Sequence, residues 1–387
     1  MKNAHWNVPL LALFVFSLAL VGCDSELTGP LPSADAAADG HAVALRGPGA
    51  QNSPYDAFSP VAYDLEAAPD GSILVTQNSA VREIRNGRVQ DVTAVPSIPG
   101  SPANGLAITG RRSFFATSGG LDLAAGAGVW HVSGGTARLV GDIEAFETEN
   151  DPDAFEGPQW KDPACEEDPA QGFTAGPQSN PYHLAALSGS TVLVADAAGN
   201  ALLSAKKNGD VDWVAVFTPP TDENGAYRFM KPALNEPSIE CYVQPVPTSV
   251  AVGPEGDYFV GELTGAPATP GWSRIWRIKG GATNVTCPSG DCEVAVEGLT
   301  SVIDLEFGPD GSLYVVEYDA NGWLAATAFG NAAGGAIKRC DVEAGTCAVV
   351  ASGLSFPSAI TFDQRGTMWL LENNIIAPVV RRVDTES

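Results

Sequence analysis

The sequence predicts an all-β fold, a six-bladed β-propeller built of four-stranded antiparallel blades. One phrase, an alternating apolar run leading through a Gly-centred turn into a second apolar run, occurs six times in the 387 residues. It stands as DLEAAPDGSILVTQ (64–77), GLAITGRRSFFATS (105–118), HLAALSGSTVLVAD (183–196), SVAVGPEGDYFVGE (249–262), DLEFGPDGSLYVVE (304–317) and AITFDQRGTMWLLE (359–372). Copies run on into a third β-rich stretch and usually a fourth, as GAIKRC and TCAVVA follow LYVVE. The sixth copy lacks its fourth run at the C-terminus, while a lone β-like run, residues 41–46, stands before the first copy. That run is expected to complete the last blade, which closes the ring and removes an exposed edge.

Ahead of the blades, residues 1–22 read as a lipoprotein signal peptide. Lys2 lies in a short leader, Pro9 to Leu20 is apolar without interruption, and Leu20-Val21-Gly22-Cys23 matches a lipobox. The small residue before Cys23 suits the lipoprotein peptidase, and the Cys23 thiol takes the diacylglyceryl group; a plain signal peptide with an incidental cysteine is the bland alternative. Residues 23–40 read as the lipidated cysteine and a flexible tether, and 41–387 as the propeller. The expectation is an exported cell-envelope lipoprotein that touches the membrane only through its anchor.

Spacing between the copies locates four insertions, at 145–180, 218–247, 263–273 and 318–334. In a four-stranded blade the link to the next blade leaves on the same side as the turn between strands two and three. All four insertions therefore crowd one face, the candidate working face.

With 21 Lys and Arg against 46 Asp and Glu, the formal net charge is −25. Such a chain repels phosphate backbones and anionic lipid, so nucleic acid is excluded as a partner class. Divalent cations, basic partners or neutral ligands fit better. Of seven cysteines, six remain once Cys23 is lipidated, an even number in an exported chain. Cys287 and Cys292 flank PSGD, Cys340 and Cys347 flank DVEAGT, and each pair is expected to staple a hairpin. Cys165 and Cys241 are left to pair across the two longest loops.

No catalytic signature is present: no Gly-x-Ser-x-Gly elbow, His-Glu-x-x-His helix, phosphate loop or dinucleotide fingerprint. Two sets of positions nonetheless converge when the copies are stacked. The first strands present Asp64, Gly105, His183, Ser249, Asp304 and Ala359 to the channel, with Glu66 and Glu306 two residues on. Asp64, Glu66, Asp304 and Glu306 facing His183 make a candidate calcium or magnesium site; a water-filled channel lined by solvated acids is the alternative. The second strands end on Asp196, Glu262, Glu317 and Glu372, which either bind a ligand on the loop-rich face or accept N–H bonds of the next turn. Tyr182, Tyr318, Trp272 and Trp323 are candidate stacking surface beside them. The acids from Glu144 to Asp168 do not match an EF-hand and read as a solvated flap.

SNPYHLAALSGSTVLVADAAGNALLSAKKNGDVDWVAVF (179–217), VPTSVAVGPEGDYFVGELTGAP (246–267), WSRIWRI and SVIDLEFGPDGSLYVVEYD resemble the ScyD/ScyE family of exported, NHL-like six-bladed propellers, first named from the scytonemin pigment gene cluster. The resemblance runs from about residue 52 to the C-terminus and brings no established catalytic residue. A weaker likeness is to gluconolactonase and strictosidine-synthase-like propellers, some of which hold a metal in the channel. Two functions therefore stand open: a non-enzymatic ligand- or protein-binding module accessory to a secreted-metabolite pathway, or a metal-dependent lactonase-like hydrolase at the channel.

Overall fold

The computed structural model describes residues 55–95, 103–119, 126–153, 178–230 and 241–383. The signal segment, Cys23, the tether, the run 41–46, Cys165 with its proposed bond to Cys241, and the acids beyond Asp153 lie outside what is described. Among the described residues six blades follow one another in chain order, each a meander of antiparallel strands; blade 3 gains a fifth, parallel edge strand, and a small separate hairpin pairs Phe229–Met230 with Cys241–Tyr242. The first strands of the blades are Ala62–Ala67, Leu106–Gly110, Pro181–Ala186, Pro247–Val252, Val302–Phe307 and Ala359–Phe362.

The phrase is a turn geometry as much as a strand pattern. Gly71, Gly256, Gly311 and Gly366 hold φ of 82°, 92°, 77° and 78°, a left-handed turn position that a Cβ disfavours. Their N–H groups donate three residues back, to Ala68, Gly253, Gly308 and Asp363 at 2.8–2.9 Å. Four blades thus share one hairpin.

Strands such as Leu313–Glu317 are buried along their whole length, because each blade packs against a neighbour on both faces. Six apolar clusters result, five of them between pairs of adjacent blades, while the sixth fills the seam of blades 5 and 6 and reaches residues of blades 1, 3 and 4. Blades 3 and 4, for example, close on Phe217 and Trp276, whose ring centroids lie 5.7 Å apart.

Blade 6 has three strands, Ala359–Phe362, Met368–Glu372 and Val379–Val383, and its fourth position is met from the N-terminal side. Tyr55 and Val380 exchange both N–H···O bonds, at 2.8 and 2.9 Å. The pairing comes nine residues after the expected run ends at Arg46.

Both predicted hairpin staples are present, Cys287–Cys292 and Cys340–Cys347. The first does more than staple: Val285–Cys287 leaves blade 4 and pairs in parallel with Val211–Phe217, covering the outer edge of blade 3. Among the described residues two helices occupy insertions, α1 (Ile143–Asn150) between blades 2 and 3 and α2 (Trp323–Thr327) inside blade 5. Among the described residues no helix is long and apolar enough to cross a membrane.

Candidate functional site in the central channel

The stacked first-strand positions share one register. His183, Ser249, Asp304 and Ala359 stand opposite Ala195, Gly261, Val316 and Leu371, each one residue before the end of its second strand. In blade 1 the Asp64 N–H donates to Thr76 Oγ1 at 3.0 Å, and in blade 2 the Gly105 carbonyl accepts the Thr117 N–H at 3.0 Å. Asp64, His183 and Asp304 therefore reach the axis from alternate blades.

Each of the three binds the next blade. Asp64 Oδ2 accepts the Leu106 N–H at 2.6 Å, His183 Nδ1 accepts the Val250 N–H at 3.3 Å, and Asp304 Oδ2 accepts the Ile360 N–H at 2.7 Å. Blades 1, 3 and 5 are thereby fastened to blades 2, 4 and 6 by the same contact. Because Nδ1 accepts, the imidazole proton sits on Nε2, 3.3 Å from Asp304 Oδ1 and 3.7 Å from Asp64 Oδ1. The ring offers a donor to both acids and no free lone pair.

Burial dominates the electrostatics. Asp64 is pushed up to about 7 by burial; His183 and the N–H bonds of Leu106 and Leu65 oppose that rise, and Asp304 adds to it. Asp304 is raised by burial and held down by His183. Glu66 and Glu306 are half-buried further along the channel; burial and then Glu306, Asp64 and Asp304 raise Glu66, and burial and then Asp304 and Asp64 raise Glu306 to about 8.

The channel groups do not converge as a set of ligand atoms. Among the described residues the only three His, Cys, Asp or Glu ligand atoms within 4.8 Å of one another belong to Glu147, Asp151 and Asp153, not to the channel. His183 Nδ1 is taken by the Val250 N–H, so the ring turns no free lone pair toward the two acids.

The loop-rich end of the channel is closed. Register slips by one residue where the first strands of blades 1, 3, 4 and 5 begin, leaving Tyr63, Tyr182, Thr248 and Ile303 as the extra residues of β-bulges. Tyr63, Tyr182 and Ile303 pack with Leu263, Tyr318 and Trp323 into one apolar plug. Tyr63 and Tyr182 meet edge to face at 6.1 Å, and the Trp323 indole N–H donates to the Thr264 carbonyl at 2.8 Å. Tyr182, Tyr318 and Trp323, expected as stacking surface, are instead buried, because the bulges and the 318–334 insertion turn them inward.

The second-strand acids are engaged inside the fold. Glu262 takes Arg274 at 2.8 Å on both oxygens, Glu317 takes Lys338 Nζ at 2.8 Å and the Thr300 N–H at 2.7 Å, and Glu372 takes Arg381 Nε at 2.6 Å. In each case the cation comes from the third strand of the same blade. Asp196 Oδ1 instead accepts the N–H groups of Asn180, Ala198 and Gly199 at 2.7, 3.2 and 3.2 Å.

Two features of the loop-rich face have no counterpart in the repeated phrase. Trp272 is half-buried with the Arg228 guanidinium 4.4 Å from its ring centre, beside Tyr242, which stacks on Phe229 at 5.0 Å and meets Tyr227 at 5.2 Å. The acidic insertion is not a solvated flap at its start: Glu147 and Asp153 are 1% and 7% exposed. Glu147 lies four residues after Ile143, one helical turn, the only sequence mark that both face inward.

No family model matches the chain, and no curated protein matches it. Among solved structures it is similar to a protein of unknown function from Bacteroides thetaiotaomicron VPI-5482, with 13% identity, 86% of this chain and 72% of that one covered, and a TM-score of 0.52. It is likewise similar to a gluconolactonase from Xanthomonas campestris, with 10% identity, 85% and 88% covered, and a TM-score of 0.50. The chain is a six-bladed β-propeller. At these identities the likeness shows that fold and carries no activity across.

Proposed function

We propose that this propeller is an extracytoplasmic, lipid-anchored module of the ScyD/ScyE type that binds a small ligand or a protein on its loop-rich face and catalyses no reaction, as an accessory to a secreted-metabolite pathway. The observation that carries the reading is the use of the channel groups: Asp64, His183 and Asp304 each hold the first-strand N–H of the following blade. The lactonase alternative needs a basic lone pair or an open cation site in the channel, and the aromatic plug separates that channel from the loops. The Trp272, Arg228 and Tyr242 surface supplies what a binding face needs, half-buried aromatic area and a planar cation. Placement outside the cytoplasm rests on the signal run, the Leu20-Val21-Gly22-Cys23 lipobox and the two disulfides.

The test has two parts. Five- and six-membered lactones are incubated with the purified protein, with and without calcium, magnesium, manganese or zinc; no turnover above the buffer rate is expected. Turnover that disappears in Asp304→Asn would overturn the reading. A photo-crosslinking residue at Trp272 and one at Gln364, on the opposite turn, are then compared in the producing cells. Adducts at Trp272 alone support the loop-rich face, and adducts at Gln364 alone count against it.

A further inference from the structure

Three carboxylates meet on the loop-rich face away from the channel, with a fourth from blade 3 near them. Helix α1 starts on Asp142, whose Oδ1 accepts the Ala145 N–H at 3.0 Å, and it turns Ile143 and Glu147 toward blades 2 and 3. It ends at Asp151, held at φ 39° with its N–H on the Glu147 carbonyl at 2.8 Å. That left-handed cap swings the chain back, so that one oxygen each of Glu147, Asp151 and Asp153 lies within 4.8 Å of the others. Asp196 approaches from blade 3, at the end of Thr191–Asp196.

The second observation concerns what these oxygens lack. Glu147 is 1% exposed and neither of its carboxylate oxygens has a hydrogen-bond partner; Asp196 is wholly buried and its Oδ2 has none either. Among the described residues no Lys or Arg pairs with Glu147, Asp153 or Asp196. The last turn of α1 carries no basic residue, so its carbonyl end adds further negative potential. Buried carboxylates so placed need a counter-charge, or protons in its stead.

The surroundings are arranged as a cradle. A Cβ at Gly199 would stand 3.2 Å from Glu147 Oε1, so the absence of a side chain there leaves the carboxylate its room. Asn200 Nδ2 donates to Asp153 Oδ2 at 2.9 Å and to Gln244 Oε1 at 2.7 Å, while Asn200 Oδ1 accepts the Val246 N–H at 3.1 Å. Asp153 is thus oriented by a buried amide that is itself fixed from two other segments.

We propose that Glu147, Asp151 and Asp153 bind one calcium ion beside the buried Asp196, which fixes the end of helix α1. The donor set is all oxygen and all carboxylate, which selects a hard divalent cation over zinc or copper. Three oxygens that lie within 4.8 Å of one another can all reach one ion at about 2.4 Å, the calcium distance.

The purified full-length protein is dialysed against chelator and then against buffered free calcium, its metal content is measured by mass spectrometry, and its thermal midpoint is followed against calcium. One calcium per chain is expected, with a midpoint that rises with free calcium. Glu147→Gln and Asp153→Asn should weaken binding at least about tenfold, while Asp304→Asn in the channel leaves it unchanged. Should Glu147→Gln fail to fold, Asp151→Asn on the more exposed side supplies the variant, and the wild-type titration stands by itself. A wild-type protein that retains no calcium, with a midpoint indifferent to chelator and calcium, overturns the proposal and leaves the acids neutralised by protons. Calcium retained by Glu147→Gln and Asp153→Asn but lost from Asp304→Asn overturns it as well, by moving the ion to the channel.

Discussion

His183 Nε2 stands 3.3 Å from Asp304 Oδ1 while His183 Nδ1 holds the Val250 N–H, so a single imidazole joins blades 3, 4 and 5. Removing it strands the buried Val250 N–H and takes the nearest N–H away from Asp304 Oδ1, a buried oxygen without a hydrogen bond. His183→Ala should therefore lower unfolding stability by about 2–4 kcal/mol, read from urea denaturation. A midpoint within error of wild type would show that the ring does not fasten the blades.

The channel carboxyls also set a pH dependence. Burial raises Asp64 to about 7 and Glu306 to about 8; Glu66 and Asp304 are raised in the same sense, and His183 opposes the rise on the two aspartates. A carboxyl with a raised folded value binds its proton more tightly folded than unfolded. Its contribution is full below the ordinary carboxylate range and is lost as pH climbs through the folded value. The lowered carboxyls, such as Asp70 and Asp310, titrate below that window. With chelator present, the melting temperature should fall between about pH 5 and pH 8.5, and Glu306→Gln should flatten the fall. A melting temperature that rises across this range would refute the assignment.

Blade 2 contributes no ionisable group to the channel for a steric reason. A Cβ on Gly105 would lie 2.8 Å from His183 Cα and 2.8 Å from the Tyr182 carbonyl oxygen, backbone atoms that cannot step aside. Gly105→Ala should cost about 1–3 kcal/mol, measured by denaturant unfolding, with amide exchange quickening in blades 2 and 3 first. Gly71→Ala is the control for backbone strain alone, since a Cβ there meets nothing within 4 Å.

The strands, the shared hairpins and the channel register were legible because they repeat: period-2 alternation and a turn glycine return at fixed offsets in every copy. The bulges at Tyr63, Tyr182 and Ile303 leave no such mark, since slipping by one residue changes no residue type, and the burial of Tyr182 is therefore invisible in the sequence. The acids ending the second strands were visible while their partners were not. Arg274, Lys338 and Arg381 follow Glu262, Glu317 and Glu372 by 12, 21 and 9 residues, offsets set by insertion length. The acidic cluster was hidden differently, because Asp196 comes from a repeated strand and Glu147 from an insertion, and only the fold brings them together.

Glu262 and Arg274 provide the strongest stability test, since both are buried and each meets several partners. Arg274 binds both Glu262 oxygens and also donates to the Thr218 carbonyl at 2.7 Å, tying the end of blade 3 to blade 4. The Trp276 indole N–H donates to Glu262 Oε1 at 2.5 Å, and the Arg274 guanidinium lies 4.6 Å from the Trp276 ring centre. Burial raises Glu262 and Arg274 is the largest influence opposing it, so loss of the guanidinium leaves a buried acid that must take up a proton. Arg274→Met should cost about 3–5 kcal/mol at neutral pH, and the loss should shrink as pH falls and Glu262 protonates. The paired change, Arg274→Met with Glu262→Leu, removes both charges and should recover most of the loss. If the double variant is as unstable as the single one, the stranded carboxylate is not the cause, and the contact to Thr218 would be what holds blades 3 and 4 together.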